Sequence, residues 1–190
     1  IRDRIEIYYP DIASGDLDGD GDLDLLIVDR EEQLHFLPNT GSASDPEFNI
    51  MNIQMDVLGD FNFEDSNEVN IELVDMDDDG DLDIINGNYS GTFGYLENIG
   101  DSNSFDFDTD NFDADFISGA SDSLHTAIAA ADMDGDSDPD LIFTNYLGEF
   151  FYLKNTGSAA NPNFSTVSLQ KMTYSAVSYT HLRAHETSID

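Results

Sequence analysis

Apolar residues along this chain come in short runs separated by acidic and turn-forming residues. The clearest are Leu25-Leu26-Ile27-Val28, Ile84-Ile85 and Leu141-Ile142-Phe143. Each is brief, rich in β-branched or aromatic side chains, and bounded by Gly, Asn and Asp, which predicts a strand rather than a helix. A polar turn and a second strand follow, as over 92–97 and 149–154, and a third short strand is expected around Phe48, Phe107 and Phe164. A fourth precedes each acidic loop, as over 69–74 and 125–131. No segment has a useful 3.6-residue apolar period, so the chain is expected to be all-β.

The runs belong to an internal repeat. DLDGDGDLDLLI begins at Asp16, DMDDDGDLDIIN at Asp75 and DMDGDSDPDLIF at Asp132, separations of 59 and 57 residues. Counted from each first Asp, an aromatic lies at +20 (Phe36, Tyr95, Tyr152) and Asn at +23 (Asn39, Asn98, Asn155). Gly follows at +25 (Gly41, Gly100, Gly157) and Phe at +32 (Phe48, Phe107, Phe164). The Asn-x-Gly element predicts a turn, since both residues tolerate positive φ. Four strands in each of three units predict propeller-like blades or a β-solenoid. The units are placed at 8–66, 67–123 and 124–176.

Within each loop, carboxylates recur at positions 1, 3, 5 and 9: Asp16, Asp18, Asp20 and Asp24; Asp75, Asp77, Asp79 and Asp83; Asp132, Asp134, Asp136 and Asp140. Alternate residues of a tight loop can turn toward one centre, and position 7 (Asp22, Asp81, Asp138) is placed to offer its backbone carbonyl. Gly21 and Gly80 at position 6 permit the sharp turn. Two carboxylates ~4 Å apart repel by about 4 kcal/mol at an effective dielectric of 20, so such loops call for a cation. Six to eight hard oxygens at flexible geometry suit Ca²⁺ better than Mg²⁺. About three calcium ions, one per repeat, are expected. The third loop departs from the pattern, with Ser137 in the glycine position and Pro139 beside it, and is expected to be the weakest. An EF-hand would need flanking helices and Glu at position 12, where this chain has Ile27, Asn86 and Phe143.

The charge balance sharpens this picture. There are 41 Asp and Glu against 6 Lys and Arg, a formal charge of −35. Such a surface repels nucleic-acid phosphates and anionic lipids and attracts cations. A halophilic surface would scatter its acids, whereas these are clustered. There is no cysteine, hence no disulfide or thiolate site. No apolar run approaches the ~20 residues of a membrane span. No signal peptide is visible, and the start at Ile1 suggests a piece of a longer protein.

The stretch from Pro10 through DLDGDGDLDLLI to HFLPNTGSASDPEF, and its third copy ending in FFYLKNTGSAANPNF, resembles the FG-GAP/VCBS-type repeat family over about residues 8–176. The resemblance implies β-propeller blades, often seven to a ring, each with a D-x-D-x-D-G-x-x-D calcium loop. It implies that the carboxylates named above hold a blade hairpin around calcium. Three units do not close a seven-bladed ring, and the Phe-Gly and Gly-Ala-Pro signatures are not recognisable in order here.

Other features carry less. The segment FDFDTDNFDADF (105–116) misses the loop spacing and predicts a strand with Phe buried and Asp solvated. The +20 aromatics are expected to pack between blades rather than stack on sugars. His35 and His125 each stand alone, with no acid–base arrangement around them. Asn88-Tyr89-Ser90 and Asn163-Phe164-Ser165 match the glycosylation pattern. The tail VSYTHLRAHETSID, including His181 and His185, has no counterpart in the repeats and resembles a translated sequencing adapter. It is set aside from fold and function and expected to be disordered.

These readings point to a non-enzymatic, calcium-binding module of a secreted or cell-surface protein, bacterial in type. Extracellular calcium modules bind at about 10⁻⁴ to 10⁻³ M, a level met outside cells. A protein or glycan ligand is expected on the blade loops. The alternative is the propeller part of a secreted polysaccharide-degrading enzyme, which would need a cluster of basic or aromatic groups. Arg2, Arg4, Arg30, Lys154, Lys171 and Arg183 are instead dispersed along the chain.

Overall fold

The computed structural model describes residues 7–63, 69–101, 103–117 and 127–172, the side chains of 166–168 excepted. The tail and His125 lie outside them. Among the described residues the fold is all-β, in three small antiparallel sheets, none closed on itself. The first orders β1 (Asp11–Gly15), β2 (Asp24–Val28) and β3 (Leu34–Leu37). The second orders β4 (Val69–Val74), β5 (Asp83–Asn88) and β6 (Phe93–Leu96). The third orders β10 (Phe164–Met172), β9 (Phe150–Asn155), β8 (Asp140–Thr144) and β7 (Ala127–Ala131). Among the described residues no helix is long and apolar enough to cross a membrane.

The first strands lie side by side. A carboxylate on one reaches an N–H on the next: Asp11 Oδ2 accepts from Ile71 at 2.8 Å, and Glu72 accepts from Ala130. This satisfies part of the open strand edge that each sheet turns toward its neighbour.

Two apolar cores fill the spaces between successive sheets. Leu26 and Val28 pack with Ile71, Ile84 and Leu96 in the first, while Ile85 and Phe93 pack with Leu141, Phe143 and Leu153 in the second. Because side chains alternate along a strand, Ile84 faces one core and the adjacent Ile85 the other. The middle sheet is therefore apolar on both faces, and its central strand reads as an unbroken buried run rather than an alternating one.

The expectation of four strands per unit holds only for the third sheet. In the first two the strand expected around the +32 Phe shrinks to isolated bridges, Asn39 with Phe48 and Phe36 with Gln54, then Asn98 with Phe107 and Tyr95 with Asp113. The cause lies one residue beyond the +32 Phe. Asn49 and Asp108 accept the N–H groups of Met51 and Asp110, capping short 3-10 turns at Ile50–Asn52 and Thr109–Asn111. Ser165 and the β-branched Thr166 and Val167 follow Phe164 instead, and the strand runs on with a register shift before Leu169.

The segment 105–116 is likewise not the continuous strand its alternation predicts, since the second of these turns interrupts it. The sidedness does hold: Phe107 is buried, Phe105 and Phe112 pack against the first core, and Asp106, Asp110 and Asp113 face solvent.

Candidate metal centres

Each acidic loop joins the first strand of its sheet to the second, with position 9 opening the second strand. The turn uses two left-handed residues, at positions 4 and 6. They are Gly19 and Gly21 (φ 74° and 92°), Asp78 and Gly80 (62° and 97°), and Gly135 and Ser137 (84° and 77°). The sharp turn that glycine permits at position 6 takes positive φ there, and position 4 shares it. Ser137 is thus strained in the third loop, at a cost of about 1 kcal/mol, but Asp78 carries a similar burden in the second.

The position-1 carboxylate closes the turn. Asp16 accepts the N–H groups of Gly19 at 2.8 Å and Gly21 at 3.0 Å; Asp132 accepts those of Gly135 at 2.7 Å and Ser137 at 3.0 Å; Asp75 accepts that of Gly80 at 3.1 Å. Position 5 accepts from position 7 in every loop: Asp22 to Asp20, Asp81 to Asp79, and Asp138 to Asp136.

Position 9 lies beneath the loop. Asp24, Asp83 and Asp140 are fully buried. One oxygen of each accepts the N–H of the +23 Asn at 2.8 Å, and the other accepts from the residue at position 2: Leu17, Met76 or Met133. Tyr95 and Tyr152 add their hydroxyls to Asp83 and Asp140, at 3.1 and 2.9 Å. Phe36 has no hydroxyl; it packs on Phe105 across the first two units, ring centroids 5.1 Å apart.

The +23 Asn then fixes the chain beyond the loop. Its Oδ1 accepts two N–H groups, those of Gly41 and Glu47, Gly100 and Asp106, or Gly157 and Asn163. The turn expected after the Asn forms, but the +25 Gly serves close approach and not positive φ. A Cβ at Gly41, Gly100 or Gly157 would stand 2.2–2.3 Å from the carbonyl oxygen of Asp45, Ser104 or Asn161.

What remains turned to a common centre is a trio of carboxylates in each loop. Asp16, Asp18 and Asp24 meet in the first, Asp75, Asp77 and Asp79 in the second, and Asp132, Asp134 and Asp136 in the third, with oxygens within 4.8 Å of one another. Asp20 stands outside the first trio, while Asp83 and Asp140 stand outside the others. Of the position-7 residues, Asp22 and Asp81 are buried and Asp138 is half-buried.

Three carboxylate oxygens here are buried without a hydrogen-bond partner: Asp18 Oδ1, Asp22 Oδ1 and Asp75 Oδ1. A buried, unpaired acceptor beside further negative charge is satisfied by a bound cation. The trios, all oxygen and flexible in arrangement, fit a hard divalent ion. Burial, reinforced by neighbouring carboxylates, holds the Asp18, Asp77 and Asp81 carboxyls above their usual range. Burial pushes Asp83 up to about 7.

One position that the motif does not include also faces the loop. At +22 the three units carry Pro38, Glu97 and Lys154. Lys154 Nζ contacts Asp134 Oδ2 and lies 2.8 Å from Asp136 Oδ2. Burial, then the charges of Asp77, Asp108 and Asp79, raise the Glu97 carboxyl. The column is readable in the aligned repeats as a change of charge sign.

Outside the loops, His35 does have a carboxylate partner, which sequence did not suggest. Its Nε2 donates to Asp29 Oδ2 at 3.2 Å, and its Nδ1 accepts the Asp56 N–H at 3.0 Å. The ring is wholly buried, so it pins a loop and meets no substrate. Asn88 is also buried, its amide engaged by Thr92, and offers no glycosylation site in the folded chain. Compared with known proteins, the chain matches no family model, no curated protein and no solved structure.

Proposed function

We propose that the chain is a calcium-binding repeat module, its three sheets being successive blades of a propeller-like array and each acidic loop clasping one Ca²⁺. The observation that carries this reading is the pair of buried, unpartnered oxygens on Asp18 and Asp75 inside converging carboxylate trios. The side-by-side first strands and the cores shared between neighbouring sheets support blades that stack on one another. Calcium neutralises the loop and fixes the hairpin whose base is held by position 9, so binding and local folding are coupled. The module is non-catalytic and belongs to a secreted or cell-surface protein, where calcium is plentiful. There it serves as a scaffold or adhesive surface that presents blade loops to a protein or glycan.

Calcium titration of the chelator-treated chain by calorimetry tests this reading. The expected result is two sites or more, with Asp77→Asn weakening one and sparing the others. Absence of heat and of any bound calcium by equilibrium dialysis would overturn it.

A further inference from the structure

The three loops share one scaffold but do not present the same charge to an ion. Five Asp occupy positions 1, 3, 5, 7 and 9 in each, and the second loop adds Asp78. The residue at +22 lies at the end of the third strand or just beyond it. In the third unit that residue is Lys154, whose ammonium sits on Asp134 and Asp136. In the second it is Glu97, which feels the charges of Asp77 and Asp79, the counterparts of those two residues. In the first it is Pro38, which brings no charge.

We infer that the +22 residue sets how each loop is neutralised, Lys154 acting as a tethered cation that takes the place of part of a divalent ion in the third loop. This rests on the calcium reading above and deepens it. An ammonium on two of three trio members must be displaced before a metal can use those oxygens, and its charge opposes the incoming ion. Both ends of the pair are about one-third exposed, so solvent screens the effect but does not remove it. The loops therefore form a series, the second binding calcium most tightly and the third least. The third also keeps its shape best without metal. Ser137 and Pro139 mark the third loop as different in sequence, but Lys154 supplies a direct electrostatic reason for weak binding.

Terbium luminescence, sensitised by tyrosine, isolates the third loop in the full chain. The signal lost on Tyr152→Phe belongs to it, and displacement by CaCl₂ gives its calcium affinity. Lys154→Gln is expected to raise that affinity about tenfold, and Lys154→Glu further. Melting supplies the second readout. Lys154→Gln should lower Tm in chelator, where the loop loses its own counter-ion, and raise it in calcium. A lysine that merely tied two surface residues together would lower Tm in both. Unchanged or weaker third-loop affinity in both variants, with the other loops still binding, overturns this inference alone. Failure of every loop to bind terbium or calcium overturns the calcium reading together with it.

Discussion

Asn98 donates its backbone N–H to Asp83 Oδ1 at 2.8 Å, and the same contact joins Asn39 to Asp24 and Asn155 to Asp140. In each sheet it ties the base of the acidic loop to the end of the third strand. Two kinds of Asp thus share one motif in the second and third loops: Asp83 and Asp140 are buried clasps, whereas positions 1, 3 and 5 form the trio that could hold a cation; in the first loop Asp24 belongs to both.

The two kinds separate by mutation. Asp83→Ala leaves the N–H groups of Met76 and Asn98 buried without acceptors, and should cost about 3 kcal/mol or more even in chelator. Asp79→Ala removes an exposed carboxylate and its bond from the Asp81 N–H, and should change chelated stability by about 1 kcal/mol at most while weakening calcium binding. Urea unfolding of both variants, with and without calcium, checks the contrast.

The glycines give a second contrast. Gly100→Ala would place a methyl 2.2 Å from the Ser104 carbonyl oxygen and should destabilise the chain by about 2–3 kcal/mol. Ser137→Gly relieves a positive φ and should stabilise it by about 1 kcal/mol. Thermal melts of the two variants should move in opposite directions.

The repeat made most of this legible. Strand positions, the acidic loops and the sharp turn at position 6 follow from the periodic turn residues and short apolar runs. The shortening of the strand around the +32 Phe is not legible in the repeat itself, because it depends on whether Asn, Asp or Ser follows that Phe. The Asn-x-Gly element foretells the turn at Gly100 but not the reason for its glycine. A turn glycine suggests a left-handed backbone, whereas here the Asn98 side chain draws two backbone segments too close for a Cβ. Lys154 lies outside the motif and in sequence is one dispersed base among six. The split of work between Asp79 and Asp83 required the hydrogen bonds.

Without metal, pH should act on the chelated protein in a defined direction. The Asp83 carboxyl is raised by burial to about 7 in the folded chain, against an ordinary value of 3.8. Below the ordinary value both states hold the proton, and its stabilising contribution is fully present. Between the two values the unfolded chain releases the proton first, so stability falls as pH rises and the contribution is gone above about 7. The raised Asp18 and Asp77 carboxyls act in the same sense. Urea midpoints in chelator should be higher at pH 5 than at pH 8. In excess calcium the order should reverse, because protons compete with the ion for the same oxygens.

The central claim is that a divalent ion stabilises these carboxylate trios in the folded chain. Thermal melting of the full chain, followed by circular dichroism at pH 7.5 in EDTA and in millimolar calcium, tests it most directly. The account predicts a Tm higher by about 5 °C or more in calcium, consistent with the effect of ligand that binds only the folded state. An identical melt in EDTA and in calcium would contradict it.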